Sequence, residues 1–341
     1  MGNRATPSRS FNTVKHSNRA QRIKRQQQER RVLLSICVVV AAILLSLLVF
    51  LICSIVDTVK ANAPSGNDPS KKDPLSGDSA TGQELTYMSV TQVNTAIRTG
   101  ELLVVNGSYA YEFPTTALGL KNIYDNRVKF DGVSNTYMVG DASWKLHGTA
   151  LDAFNAMMLK YYEVYADGTT LITSAYRTFE AQDALNSSVA AGYSDHHTGL
   201  CVSLKKQTAT GREDLESDHW IYQNCHKYGF IVRYPEAKSD ITGVSSYAYC
   251  LRYVGVAHAT YIYQNDLCLE EYVELLKTTY TASNHLSITG ADGKRYEVYH
   301  VTSTGEVTTI QVPKNYKYSI SGDNISGFIV TVHLDDAMPI S

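Results

Sequence analysis

An unbroken run of 25 residues without a charge, Val32 to Val56, divides the chain into parts that must fold in different surroundings. As a helix rising about 1.5 Å per residue it reaches roughly 37 Å, enough to cross a hydrocarbon core of about 30 Å with some tilt. The sequence therefore predicts one transmembrane helix over 32–56. A cleaved signal peptide has a shorter apolar part, about 7 to 15 residues, and a small-x-small cleavage site close behind it. The nearest candidate here is Ala61-Asn62-Ala63.

Charge sets the orientation of that helix. Nine Lys or Arg lie between Arg4 and Arg31 against the single acid Glu29, in a chain of 31 basic and 33 acidic residues, so everything after the span is net acidic. Basic residues stay on the cytoplasmic side, which makes 1–31 a basic cytoplasmic segment and places the main domain outside, as in a single-pass cell-membrane protein. Such a run also suits nucleic acid or anionic lipid. Topology accounts for it without a partner, and no nucleic-acid binding is expected.

Residues 57–84 are rich in Asn, Pro, Ser, Gly, Asp and Lys and carry almost no large apolar side chains, the composition of a flexible stalk. Globular sequence starts at Leu85. A short helix is expected over Gln92–Arg98, a strand over Leu102–Asn106, and a longer amphipathic helix over Gly148–Tyr165. In that helix Leu151, Phe154, Met157, Met158 and Tyr161 recur at helical spacing as core. A strand at Thr170–Ser174 follows, then a helix over Thr178–Ala191, a strand at Gly199–Leu204, a helix over Ser217–Tyr228 and a strand at Phe230–Tyr234. This irregular alternation reads as α+β. From about Leu286 the pattern changes to period-two segments such as Arg295–Val301 and Gly327–Val332, read as a small β-rich appendage over 281–341 beside a main domain over 85–280. Of six cysteines, Cys37 and Cys53 lie in the span. Cys201, Cys225, Cys250 and Cys268 lie beyond it, where disulfides are permitted and three complete pairings remain open.

Two segments in the right order carry a family resemblance. Ser174 to Gln182 reads S-A-Y-R-T-F-E-A-Q, and Gly192 to Ser203 reads G-Y-S-D-H-H-T-G-L-C-V-S. With Trp220, the stretch His226–Pro235, Thr242-Gly243, Arg252–Gly255 and Leu269–Tyr272, they resemble the VanY-like zinc D-alanyl-D-alanine carboxypeptidases over about half the chain. The resemblance implies a carboxypeptidase-like α+β domain with a central antiparallel sheet and flanking helices. It also implies a zinc site of a His and an Asp from S-E-H-x-T-G-x-A-x-D and a second His from E-P-W-H-F-R-Y-V-G, whose Glu is the general base. Three ligands leave one zinc position open for the attacking water, and the carboxylate takes its proton.

Carried over position by position, His196 retains the first ligand. Ser203 stands where the Asp belongs, Cys250 where the second His belongs, and Tyr247 where the general base belongs. A neutral hydroxyl is a poor zinc ligand beside a carboxylate, and a phenol of pKa about 10 is a poor base near neutrality. The same resemblance assigns Arg177, Gln182 and Ser194 to the substrate cleft, with Arg177 suited to grip a carboxylate or carbonyl oxygen. His197 and His258 are expected to pack rather than ligate.

Cys201 and Ser203 project to one side of a predicted strand, toward His196 and Cys250. Four arrangements follow: a Cys201–Cys250 disulfide, a rewired zinc site of His196, Cys201 and Cys250, two unlinked thiols, or a Cys250–His196 nucleophilic pair. The expectation is a degenerate enzyme that binds peptidoglycan stem peptides or a cell-surface protein, with no cofactor, or with zinc if the site is rewired. An active metallocarboxypeptidase and a surface assembly protein are the alternatives.

Overall fold

The computed structural model describes residues 85–245 and 247–338. The expected cytoplasmic segment, span and stalk (1–31, 32–56 and 57–84) lie outside them. Among the described residues no helix is long and apolar enough to cross a membrane.

Helix α1, Gly148–Tyr165, forms over the residues its apolar spacing predicts. It buries Leu151, Phe154, Met157, Met158 and Tyr161 and ends where Ala166 turns into the left-handed region at φ 51°. Its partner surface is one face of a six-stranded sheet. That sheet runs in the order β5 (Phe230–Tyr234), β6 (Tyr247–Tyr253), β4 (Cys201–Gln207), β3 (Thr170–Ser174) and β2 (Met138–Val139), and the short strand Arg212–Glu213 pairs with β4. Ile172, Val202, Leu204, Phe230 and Leu251 point from this face into the α1 core. Side chains alternate along a strand, so Cys201 and Ser203 on β4 and Cys250 on β6 face the other way. One register thus fixes both the core and the site.

The sheet is mixed, not purely antiparallel as expected. β2 runs parallel to β3, because the chain leaves β2, passes through α1 and returns to β3 by a crossover. Three other expectations also change. The helix foreseen over 178–191 is only α2, Phe179–Asp183, and the chain soon after passes through Asn186 at a left-handed φ of 45°. The helix foreseen over 217–228 is a short helix, Trp220–Asn224, continued as a 3-10 turn, Cys225–Tyr228. Leu102–Asn106 is buried but forms no strand. Its middle carbonyls are taken by side chains: Arg233 donates to the Val105 oxygen at 3.3 Å and Asn324 to the Val104 oxygen at 2.9 Å.

Helices α3 (Val256–Gln264) and α4 (Leu269–Thr279) lead into an antiparallel sheet. Its order is β7 (Leu286–Thr289), β8 (Arg295–Thr302), β11 (Gly327–Ala337) and β10 (Tyr316–Gly322). The boundary foreseen at 281 crosses a continuous core. Leu286, Ile288, Val298 and Ile329 pack with Leu102, Val104, Val254, Ile262, Tyr272 and Leu276. At the other end of the chain, β1 (Tyr87–Val93) pairs along its whole length with β9 (Val307–Pro313). The described residues accordingly form one compact unit.

His258 joins α3 to both neighbours: its Nδ1 lies 2.8 Å from the Tyr272 hydroxyl and its Nε2 2.9 Å from the Thr331 hydroxyl. Burial, helped by nearby His333, pushes its pKa down to about 3. Below about pH 6.5 the unfolded chain takes up a proton here that the folded chain refuses. Stability from this group is therefore complete above pH 6.5 and is lost as pH falls toward 3, by at most about 1.4 kcal/mol per unit. Urea unfolding of wild type and His258→Gln between pH 7 and 5 should show the steeper loss in wild type. Parallel profiles would refute this role for His258.

Candidate active site

The site lies on the sheet face opposite α1. His196 sits in the 3-10 turn Asp195–Thr198, which Ser194 opens by accepting the His196 amide at 3.4 Å. Gly199 closes the turn at φ 71°, a left-handed conformation that favours glycine. Ser203 and Cys250 are direct partners in the antiparallel register of β4 and β6. His196 Nε2 reaches both, 3.2 Å from Ser203 Oγ and 4.0 Å from Cys250 Sγ. The three positions that the resemblance assigns to metal ligands therefore converge from three elements. Tyr247 pairs through its backbone with Tyr234, and its side chain lies outside the described residues.

Convergence does not make this donor set a zinc site. The three positions supply one imidazole, one neutral hydroxyl and one thiol, where a catalytic zinc needs three good ligands and an open position. Among the described residues no group of three His, Cys, Asp or Glu side chains could hold a metal ion, so the residues present do not fit the group. The buried His196 Nδ1 has no hydrogen-bond partner, whereas a ligating imidazole is ordinarily oriented through its second nitrogen.

Cys201 and Cys250 are free thiols in contact, packed with Tyr234 and Val244. The hydrogen bond from Cys201 lowers the Cys250 pKa; burial opposes this and the His196 ring reinforces it, leaving Cys250 below the ordinary thiol range. Cys201 moves the other way, pushed up by burial and then by Cys250.

The cleft residues divide. Arg177 is half-buried and donates to Ser174 Oγ at 2.7 Å and Ser194 Oγ at 3.2 Å, which aims its guanidinium from beside the His196 turn. His197 accepts the Gly192 amide on Nε2 at 3.0 Å, so its Nδ1 carries the proton donated to the Arg177 carbonyl at 2.8 Å. It is a clamp, not a ligand, and burial holds its pKa down. Gln182, expected to line the cleft, is buried, and its amide nitrogen ties the following loop through Ser187 Oγ at 2.9 Å and the Val189 carbonyl at 2.7 Å.

Beneath the turn lies a group the sequence reading missed. Asp195 is wholly buried between Arg233 and Arg252, each donating to one of its carboxylate oxygens. Arg233 also makes a bidentate pair with Glu270, at 2.9 and 2.7 Å. Burial alone would raise the Glu270 pKa, but the charge and hydrogen bonds of Arg233, with hydrogen bonds from Asn106 and the backbone, outweigh it and hold Glu270 down. Arg252 further donates to the Glu101 carbonyl at 2.9 Å, fastening the buried 101–105 segment. The available signal was an acid between Ser194 and His196 in a motif followed by two strand arginines.

Residues 143–256 match the family model described as VanY: D-alanyl-D-alanine carboxypeptidase. A D-alanyl-D-alanine carboxypeptidase of Enterococcus faecium is 34% identical over 241 residues, covering 68% of this chain and 75% of that protein. The chain belongs to the VanY D-alanyl-D-alanine carboxypeptidase family. A putative carboxypeptidase, YodJ, of Bacillus subtilis is 42% identical over 92 residues, 25% of this chain and 33% of YodJ. Among solved structures, the vancomycin resistance D,D-dipeptidase VanXYg in complex with a D-Ala-D-Ala phosphinate analog superposes with a TM-score of 0.62 at 25% identity. The match covers 73% of this chain and 99% of that one. In this VanY-family chain the matched stretch contains His196, Ser203 and Cys250, so the departures from the metal pattern fall inside the family region.

Proposed function

We propose that this VanY-family protein is anchored by the 32–56 helix with its domain outside the membrane. There it binds the D-Ala-D-Ala end of peptidoglycan stem peptides without the family's zinc hydrolysis. One observation carries the reading: His196, Ser203 and Cys250 meet as metal ligands would, yet as imidazole, hydroxyl and thiol. The frame is kept and the metal chemistry is replaced.

Binding then rests on Arg177. A guanidinium held by two serine hydroxyls is positioned to donate charge-assisted hydrogen bonds to a peptide carboxylate or to polarise a carbonyl oxygen. The His196 turn and the Arg233–Asp195–Arg252 group beneath it hold the cleft wall. Titration calorimetry of the full-length protein with a stem pentapeptide should show saturable binding. Arg177→Ala should weaken it about 10- to 100-fold, the size of one charge-assisted contact of roughly 1.5–3 kcal/mol, with the thermal midpoint little changed. Absence of binding, or equal affinity in the variant, would overturn the proposal.

The 34% identity to a D-alanyl-D-alanine carboxypeptidase favours a second reading, an active enzyme with a modified metal site. Chelator-sensitive release of D-alanine would establish it.

A further inference from the structure

Two sulfurs lie side by side on the site face. Relative to the family pattern S-E-H-x-T-G-x-A-x-D, Cys201 stands at the small Ala position and Cys250 at the second His position. In the register of β4 and β6, Cys201 lies opposite Arg252 and Cys250 opposite Ser203, which makes the two cysteines diagonal neighbours on one face. Their sulfurs hydrogen-bond to each other and share a small apolar cluster with Tyr234 and Val244. The other two described thiols are engaged elsewhere: Cys225 donates to the Tyr222 carbonyl at 3.6 Å, and Cys268 caps α4.

We propose that Cys201 and Cys250 are an oxidisable pair that closes to a disulfide across β4 and β6, a covalent tie at the place where the family pattern puts metal ligands. The oxidant is a disulfide donor, small molecule or oxidoreductase. The Cys250 sulfur attacks one sulfur of the donor, forming a mixed disulfide and releasing the first donor thiol, which carries away the Cys250 proton. The Cys201 sulfur then attacks the Cys250 sulfur of that mixed disulfide. The second donor thiol leaves with the Cys201 proton. Two protein thiols and one donor disulfide become one cystine and two donor thiols. Both cysteines are almost fully buried, at 0% and 1% exposure, so exchange in the folded protein is slow and the closed form resists reduction. Closure joins the two strands that present Ser203 and Cys250, fixing the cleft floor without a metal.

The test is a thiol count on the full-length protein. Reduced protein is incubated with oxidised glutathione until the count is constant, then denatured, alkylated with a maleimide and mapped by mass spectrometry. Wild type should lose two of its six thiols and yield a peptide linked through Cys201 and Cys250. Cys225→Ala should give the same link, and Cys201→Ala should give none. Retention of all six thiols in wild type, or a link through Cys225 or Cys268, overturns the proposal. The wild-type map decides the matter even if a variant fails to fold, and it does not depend on whether the cleft binds peptide.

Discussion

Asp195→Asn is expected to lower the thermal midpoint by roughly 8–15 °C, the effect of about 3–5 kcal/mol on a domain of this size. The substitution keeps the shape of the side chain and removes its charge. Arg233 and Arg252 are both 0% exposed, and Asp195 is the acid they share. Without it Arg252 hydrogen-bonds only to backbone carbonyls, with the Glu101 carboxyl as the remaining acid near it, and Arg233 keeps Glu270 as its paired counter-charge. Uncompensated buried guanidinium is costly because desolvation is no longer offset by an anion. Loss should extend to the neighbouring segments, since Arg252 holds the Glu101 carbonyl and Arg233 the Val105 carbonyl. Calorimetric melting of the full-length protein measures it. A shift within two degrees of wild type would mean that the four charged groups contribute packing and little else.

The second large effect is a gain. Ser203→Asp, Cys250→His and Tyr247→Glu together should create a protein that takes up one zinc ion and releases D-alanine from a stem pentapeptide. The rate should rise on the order of a thousandfold over wild type, because a bound metal contributes several kcal/mol through its activated water and polarised carbonyl. Ser203 and Cys250 already face each other across β4 and β6, and His196 Nε2 is already 3.2 Å from Ser203 Oγ, so at the three ligand positions only the donor chemistry needs to change. Zinc analysis and D-alanine release of the triple variant decide it. A folded variant that binds no zinc would show that the frame, and not just the ligands, has drifted.

How much of this was legible in the sequence depended on how local each cause is. Helix α1 and strands β3 and β5 have the bounds their spacing implies, because one face of each meets a continuous core. Leu102–Asn106 looked like a strand from its apolar run. The carbonyls of Leu103, Val104 and Val105 are taken by guanidiniums and an amide more than a hundred residues away, which no local pattern announces. The tail was readable as alternating strands, yet its union with α3, α4 and β1 was not, since alternation reports a buried face and never what covers it.

In the site, the motif order located His196, Ser203 and Cys250, and the structure brings them together. Gln182 was placed in the cleft by the same order but binds the 187–189 loop instead. Asp195 escaped notice because its role is set by arginines 38 and 57 residues later.

The most direct test of the central claim is metal analysis of the wild-type protein joined to a turnover assay. The full-length chain is purified with zinc in every buffer, freed of loosely held metal by gel filtration, and analysed by mass spectrometry. It is then incubated with stem pentapeptide, with and without a chelator, beside the triple variant as the active control. A site whose frame survives without its metal chemistry predicts far less than one zinc per chain and no chelator-sensitive release of D-alanine. One zinc per chain together with release that the chelator abolishes would contradict it.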